Sequence, residues 1–74
     1  MELKQFAEAV ELSQKIYEES WDEEKQIYQI PPDRAADLAL KQLNLPSEFI
    51  LPLYLLNLFA WNGIQNWADT VLGK

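Results

Sequence analysis

From Phe49 to Ala68 the chain runs for twenty residues without a charged side chain, whereas acidic and basic residues are scattered through the rest. The first 37 residues carry ten acidic and four basic side chains, and the last 37 carry two of each. An uncharged stretch of this length must be covered by protein or by lipid, because its leucines and aromatic residues gain free energy on leaving water. This division into a charged half and an apolar half constrains the fold more than any other feature.

The chain has 74 residues and contains neither cysteine nor histidine. We expect one domain from this length, and a domain this small buries only about 60–65% of the surface of its unfolded chain. Disulfides, thiolate or imidazole metal sites and Cys or His catalysis are excluded, so stability must come from close helix packing or self-association. Ser13, Ser20 and Ser47 fall at predicted helix or cap positions without a base beside them. We therefore predict no enzymatic activity, no metal and no cofactor.

The formal net charge at pH 7 is −6, and it restricts the partners of the chain. Nucleic acids are bound through Lys and Arg side chains that neutralise phosphates, and anionic membrane surfaces also attract basic segments. With twelve acidic and six basic residues, both partners are disfavoured, whereas a basic protein partner is electrostatically favoured. The acidic N-terminal segment lacks the features of a secretory signal, and a cytoplasmic location is the simplest expectation.

Apolar residues recur every three or four positions in the first part of the chain, which is the period of one helix face. They predict a first helix over residues 2–21. The segment 22–31 is predicted to be an irregular connection whose apolar residues pack against the core, and the alternative is a first helix that continues to Tyr28. The apolar face of the first helix contains Leu3, Phe6, Ala7, Val10, Tyr17 and Trp21.

A second helix is predicted over residues 32–43. Pro32 suits the first turn of a helix, where its missing N–H is not needed. Asn44 is the expected left-handed residue after this helix, and Leu45 is its hydrophobic follower.

A short turn at residues 48–51 should lead to a third helix over residues 52–72, beginning at Pro52 and ended by Gly73. The alternative is a break at Gly63, because glycine inside a helix is less favourable than alanine by roughly 1 kcal/mol. The predicted fold class is therefore all-α, a small three-helix bundle with a strongly apolar C-terminal helix, or a four-helix bundle if that helix is broken.

Eleven of the thirteen residues from Phe49 to Trp61 are apolar. A membrane span needs about twenty predominantly apolar residues, and the amides that follow would each need a partner in lipid. We therefore predict a core helix or a subunit interface, and the alternative is a membrane-peripheral protein that uses residues 49–61. Asn57 lies inside this stretch and is predicted to be a buried amide that needs a hydrogen-bond partner.

Apolar residues surround the predicted C-terminal helix, and two other helices can hardly cover all of them. We predict that this helix forms a homodimer interface, with complete burial in the bundle as the alternative. Aromatic residues commonly anchor such interfaces. The predicted partner interface consists of Tyr54, Leu58, Trp61, Ile64 and Trp67.

One dense run of acidic residues spans the end of the first helix and the connection after it. Its spacing lacks the glycine and terminal glutamate of a calcium loop. A solvated acidic turn is the plainer interpretation, and a docking surface for a basic partner is the functional one. The run consists of Glu18, Glu19, Asp22, Glu23 and Glu24.

These patterns predict a non-catalytic protein–protein interaction module, such as a small adaptor, an assembly factor or a regulatory subunit. Its expected partner is a second copy of the chain or a basic protein. Two alternatives come from other classes. One is the membrane-peripheral protein described above, and the other is a carrier that binds a small apolar ligand among the nine aromatic residues.

Overall fold

The computed structural model describes all 74 residues and contains four α-helices, one short 3-10 helix and one two-stranded hairpin. The predicted all-α fold class is confirmed, since each strand has only two residues. The helices are α1 (Leu3–Glu19), α2 (Pro32–Gln42), α3 (Ile50–Phe59) and α4 (Trp61–Leu72), the strands are β1 (Trp21–Asp22) and β2 (Ile27–Tyr28), and the 3-10 helix is Ser47–Phe49.

The helices enclose a thin core that is made mainly of alanine. α1 contacts both α2 and α4, and α3 packs mainly against α2. Small side chains such as Ala36 and Ala68 are fully buried and let the helix backbones approach closely. The largest apolar side chains that are fully buried are Val10, Leu40 and Leu53. Only twelve residues of the chain are buried, so most large apolar side chains lie around the core rather than in it.

α1 ends two residues before the predicted end, because Ser20 turns the chain. The Ser20 amide and hydroxyl both donate to the Tyr17 carbonyl, at 3.1 and 2.6 Å. The chain then forms the antiparallel hairpin, in which Trp21 pairs with Tyr28. The irregular connection predicted for residues 22–31 is therefore wrong, and so is the alternative of a continued first helix.

The hairpin is closed by hydrogen bonds within its own loop. The Asp22 Oδ1 accepts from the backbone N–H of Glu24 at 3.0 Å and of Lys25 at 3.3 Å, which is the turn that aspartate side chains favour. Gln26 has a left-handed φ of 55°, and its N–H donates to the Asp22 carbonyl at 2.7 Å. These bonds stabilise the loop without the core, and Ile27 is exposed instead of packing inward as predicted.

The end of α2 confirms the prediction made for Asn44. This residue has a left-handed φ of 57°, and its N–H donates to the Lys41 carbonyl at 3.1 Å. The Leu45 N–H donates to the Leu40 carbonyl at 2.9 Å. The two bonds together form the Schellman motif, which satisfies carbonyl groups that would otherwise lack a partner at the helix end.

The single C-terminal helix predicted over residues 52–72 is wrong, because the chain breaks at Ala60 into α3 and α4. Ala60 has φ −137° and ψ 37°, which lies outside the helical region. No backbone hydrogen bond joins the Trp61 N–H to the Asn57 carbonyl, as a continuous helix would require. The alternative break point, Gly63, lies inside α4.

The predicted start of the C-terminal helical region differs from the structure, whereas its predicted end agrees. The turn predicted at residues 48–51 is instead the 3-10 helix, which leads directly into α3 at Ile50. Pro52 is the third residue of α3, so its missing N–H removes no hydrogen bond within that helix. Gly73 ends α4 with a φ of 76°, as predicted. None of the helices combines the length and apolar character needed to cross a bilayer.

Candidate interaction surfaces

One side of α3 faces the core, and the opposite side is apolar and exposed to solvent. Leu53 and Asn57 face the core and are buried. On the other side, Leu51, Leu55 and Leu58 fall within about 60° of one another around the helix axis. Together with Phe59 they form what we call the α3 outer face. The exposed fractions are 61% for Leu51, 39% for Leu55, 48% for Leu58 and 79% for Phe59.

The exposure of the α3 outer face does not come from an expanded molecule. The protein has an accessible surface of 4970 Å², against about 4,700 Å² for a typical folded monomer of this mass. Scattered apolar side chains are normal on a protein surface, whereas neighbouring exposed leucines on one side of a helix are a candidate contact surface. The sequence also offered complete burial of the C-terminal helix in the bundle as an alternative. That alternative is wrong, because the residues of the α3 outer face are exposed.

The α3 outer face has the chemistry and spacing of a helix that packs against another helix. It lies inside the segment that carries no charged residue. Leu51, Leu55 and Leu58 are separated by four and three residues, which is the spacing of the apolar seam between paired helices.

The five residues of the predicted partner interface do not form one surface. Leu58 belongs to the α3 outer face, whereas Tyr54, Ile64 and Trp67 are half-buried against the core. The Trp67 ring packs edge-on against Phe6 with 6.1 Å between the ring centroids. Sequence reasoning missed Leu51, Leu55 and Phe59, although the first two share the helical stripe of Leu58.

The fifth predicted residue, Trp61, lies at the start of α4 and packs against α1. Its ring meets Tyr17 edge-on, with 5.8 Å between the ring centroids. The Trp61 carbonyl accepts a hydrogen bond from Gln14 Nε2 at 3.3 Å. Because the break at Ala60 separates α4 from α3, the aromatic side chains of α4 do not extend the α3 outer face.

Asn57 is buried and paired, as predicted. Its Oδ1 accepts from Gln14 Nε2 at 3.0 Å, and its Nδ2 donates to Ser13 Oγ at 2.7 Å. The Ser13 hydroxyl in turn donates to the Val10 carbonyl at 2.9 Å. Every buried side-chain nitrogen and oxygen of the protein has a partner. The bonds from Asn57 to Ser13 and Gln14 link α3 directly to α1. Sequence reasoning missed Gln14, which looks like an ordinary surface residue of an amphipathic helix.

A second surface feature is a cleft between the hairpin and the helices, which we call the aromatic cleft. Its volume is about 450 Å³. The Tyr17 and Tyr28 rings stack with 4.1 Å between their centroids, and Trp21 leans on Tyr28 at 4.9 Å and 59°. Burial raises the pKa of the Tyr17 hydroxyl, and Tyr28 adds to this shift. The cleft is lined by Tyr17, Glu18, Trp21, Tyr28 and Trp61.

The members of the acidic run play different parts, and Glu18 is the one that lines the aromatic cleft. The Asp22 carboxylate is engaged in the hairpin, because its Oδ2 accepts from Gln29 Nε2 at 2.9 Å while its Oδ1 holds the loop. The other four carboxylates are exposed. The run does not converge on a cluster that could hold a metal ion.

A larger groove of about 860 Å³ runs along α1 and is also open to solvent. Charged side chains dominate its lining, and Leu12, Leu43 and Leu72 are its apolar members. The Lys74 ammonium donates to the Glu11 carboxylate in this groove, and that hydrogen bond raises the Lys74 pKa. Neither this groove nor the aromatic cleft is an enclosed apolar cavity.

No protein-family model, curated protein or solved structure matches this chain. The geometry of its surfaces is therefore the basis for assigning a function.

Proposed function

We propose that this protein is a non-catalytic protein–protein interaction module whose contact surface is the α3 outer face. The observation that supports this is a row of leucines and one phenylalanine that point away from the core on a helix without charge. Fully burying one such side chain is worth roughly 1.5–3 kcal/mol. Covering the α3 outer face with a complementary surface is therefore favourable, as expected of a small adaptor, assembly factor or regulatory subunit.

The partner that best fits the α3 outer face is a second copy of the chain. A two-fold axis would bring Leu51, Leu55 and Leu58 against the same residues of the other subunit, in an interface where each side is its own complement. Each chain carries a net charge of −6. Because α3 itself has no charged residue, this contact would not bring like charges of α3 together. A standard interface buries about 800 Å² per partner, so the α3 outer face would form its centre and neighbouring residues its rim.

Sedimentation equilibrium at micromolar concentration tests this proposal. We expect the wild-type protein to sediment at twice its chain mass of 8.6 kDa. The double variant Leu55→Gln, Leu58→Gln should weaken association by at least about a hundredfold, because each subunit loses two apolar contacts. Leu3→Gln is the matched control, since Leu3 is an exposed leucine outside α3, and it should leave association unchanged. A wild-type monomer at these concentrations would contradict the dimer.

The same α3 outer face is the surface that a membrane-peripheral protein would insert into a bilayer, because Phe59 is the most exposed member of an apolar row. Co-flotation with phosphatidylcholine vesicles separates the two functions. We expect the wild-type protein to stay with the aqueous fraction, since its apolar side chains are already covered in the dimer. The membrane function would be supported instead if the wild-type protein floated, the double glutamine variant did not, and the wild type sedimented as a monomer.

A further inference from the structure

The aromatic cleft is a second surface, separate from the α3 outer face, with chemistry of its own. Three different elements build it: Tyr17 and Glu18 come from α1, Trp21 and Tyr28 from the hairpin, and Trp61 from the start of α4. None of these residues belongs to the α3 outer face. Any role of the cleft is therefore additional to self-association.

We propose that the aromatic cleft binds an arginine side chain of a basic protein segment. A guanidinium is planar, weakly hydrated and always charged, so it stacks on aromatic faces and pairs with a carboxylate at the same time. The cleft offers both kinds of group, namely four aromatic rings and the Glu18 carboxylate. The role of Glu18 is to pair with the cation, and the role of the rings is to stack on it.

The rings that line the cleft are held in place but are not covered. The stacked pair of Tyr17 and Tyr28 is fixed from one side by Trp61, whose plane lies at 64° to the Tyr17 ring. Trp21 lies at 59° to the Tyr28 ring, and these two residues keep exposed fractions of 44% and 42%. The cleft is thus preformed, and part of its aromatic surface is free for a ligand.

The charge around the cleft selects a cation. No lysine or arginine of the chain lines it, so the aromatic faces are not already occupied by a positive group of the protein. Glu19, Glu23 and Glu24 are exposed and lie within six residues of Glu18 in the chain, and their field adds to the attraction of a basic segment. A basic segment of a protein therefore fits this surface better than an isolated small cation.

Tryptophan fluorescence titration with a capped Gly-Arg-Gly-Arg-Gly peptide tests the proposal. The comparison peptide carries citrulline in place of arginine, which keeps the shape of the side chain and removes its charge. We expect the arginine peptide to bind at least about tenfold more tightly than the citrulline peptide, and the difference to shrink as salt is added. Equal affinities for the two peptides, or no binding of either, would overturn the proposal.

Two substitutions of equal charge locate the binding site. Glu18→Gln should weaken binding of the arginine peptide several-fold, whereas Glu24→Gln, which removes a carboxylate outside the cleft, should change it much less. Equal weakening by both would show attraction to the acidic run in general and would overturn the cleft as the site. Trp21→Leu should weaken binding of the arginine peptide in isothermal titration calorimetry, which does not depend on the removed fluorophore, while circular dichroism confirms that the helices remain. Unchanged affinity in this variant would overturn the cleft as the site.

The same titration distinguishes the cleft from the proposed self-association. The double variant Leu55→Gln, Leu58→Gln should bind the arginine peptide as the wild-type protein does, because it leaves every residue of the cleft in place. Loss of peptide binding in this variant would contradict the separation of the two surfaces. A monomeric wild-type protein that still binds the peptide would remove the dimer and leave the cleft proposal standing.

Discussion

Gln14 of α1 and Asn57 of α3 are joined by a buried hydrogen bond of 3.0 Å, from the Gln14 Nε2 to the Asn57 Oδ1. The same Gln14 nitrogen donates to the Trp61 carbonyl at 3.3 Å. One side chain of α1 therefore bonds to residues on both sides of the helix break at Ala60. It ties both helices to α1 and keeps Asn57 on the side of α3 that faces the core.

Removing the Asn57 amide should destabilise the protein although it makes the core more apolar. In Asn57→Leu the Ser13 hydroxyl and the Gln14 amide lose a buried partner, and we expect the free energy of unfolding to fall by about 1–3 kcal/mol. Chemical denaturation at one fixed protein concentration measures this loss. The double variant with Gln14→Leu should recover part of it, because both partners are then apolar.

The control for this substitution is Asn66→Leu, since Asn66 is an exposed amide on α4. It should change the free energy of unfolding by no more than about 0.5 kcal/mol. Similar losses for the two asparagines would mean that the buried network does not stabilise the fold.

Enlarging a core alanine should also destabilise the protein. Ala68 is fully buried where α4 joins the core, and Ala68→Leu would have to fit three further carbon atoms into that core. We expect a loss of about 1–3 kcal/mol in denaturant unfolding. Gln65→Leu, an exposed position one turn earlier on the same helix, should be close to neutral, and an equal loss there would argue against tight packing at Ala68.

The left-handed backbone at Asn44 gives a third prediction. With a φ of 57°, the position strains an ordinary L side chain, and Asn44→Ala should cost about 1 kcal/mol of stability. Asn44→Gly should stay within about 0.5 kcal/mol of the wild type, because glycine adopts this conformation freely. Thermal unfolding of both variants checks the order, and a more stable alanine variant would contradict it.

The raised pKa of Tyr17 predicts a loss of stability in alkali. A hydroxyl whose pKa lies above its ordinary value of 10.0 in the folded protein keeps its proton longer in the folded chain than in the unfolded one. Its contribution to stability is complete below pH 10 and declines as the pH rises through the folded pKa. The free energy of unfolding should therefore fall more steeply above about pH 10 for the wild type than for Tyr17→Phe.

Tyr54→Phe is the control for this alkaline prediction, because it removes a tyrosine hydroxyl outside the aromatic cleft. It should keep the steeper decline of the wild type. Identical curves for the wild type and Tyr17→Phe would show that Tyr17 does not contribute.

Local sequence signals were sufficient where the structure depends on neighbouring residues. The ends of α2 and α4 were predicted from Asn44 and Gly73, whose backbone preferences act within one turn. The hairpin was missed although its signal is also local. Asp22 closes the loop through its own side chain. The sequence around it contains none of the Asn-Gly, Asp-Gly or Gly-Gly pairs that usually mark a hairpin turn.

The break at Ala60 could not be predicted from nearby residues. The Gln14 side chain that bridges it comes from a helix more than forty positions earlier in the chain. In one unbroken helix, the apolar residues of α3 and α4 would lie along the same side. The predicted partner interface therefore combined Leu58 with aromatic residues of α4. The apolar segment was identified from the sequence, but the side of it that faces solvent depends on long-range packing.

The alanine core also decides where the heat-capacity change of unfolding comes from. Six of the nine fully buried apolar residues are alanines, whereas ten larger apolar side chains are partly buried around them. The heat capacity of unfolding follows the total apolar area that becomes hydrated, so most of it comes from the side chains around the core rather than from the core itself. Truncating these partly buried side chains should therefore flatten the stability curve more than substitutions of the central alanines.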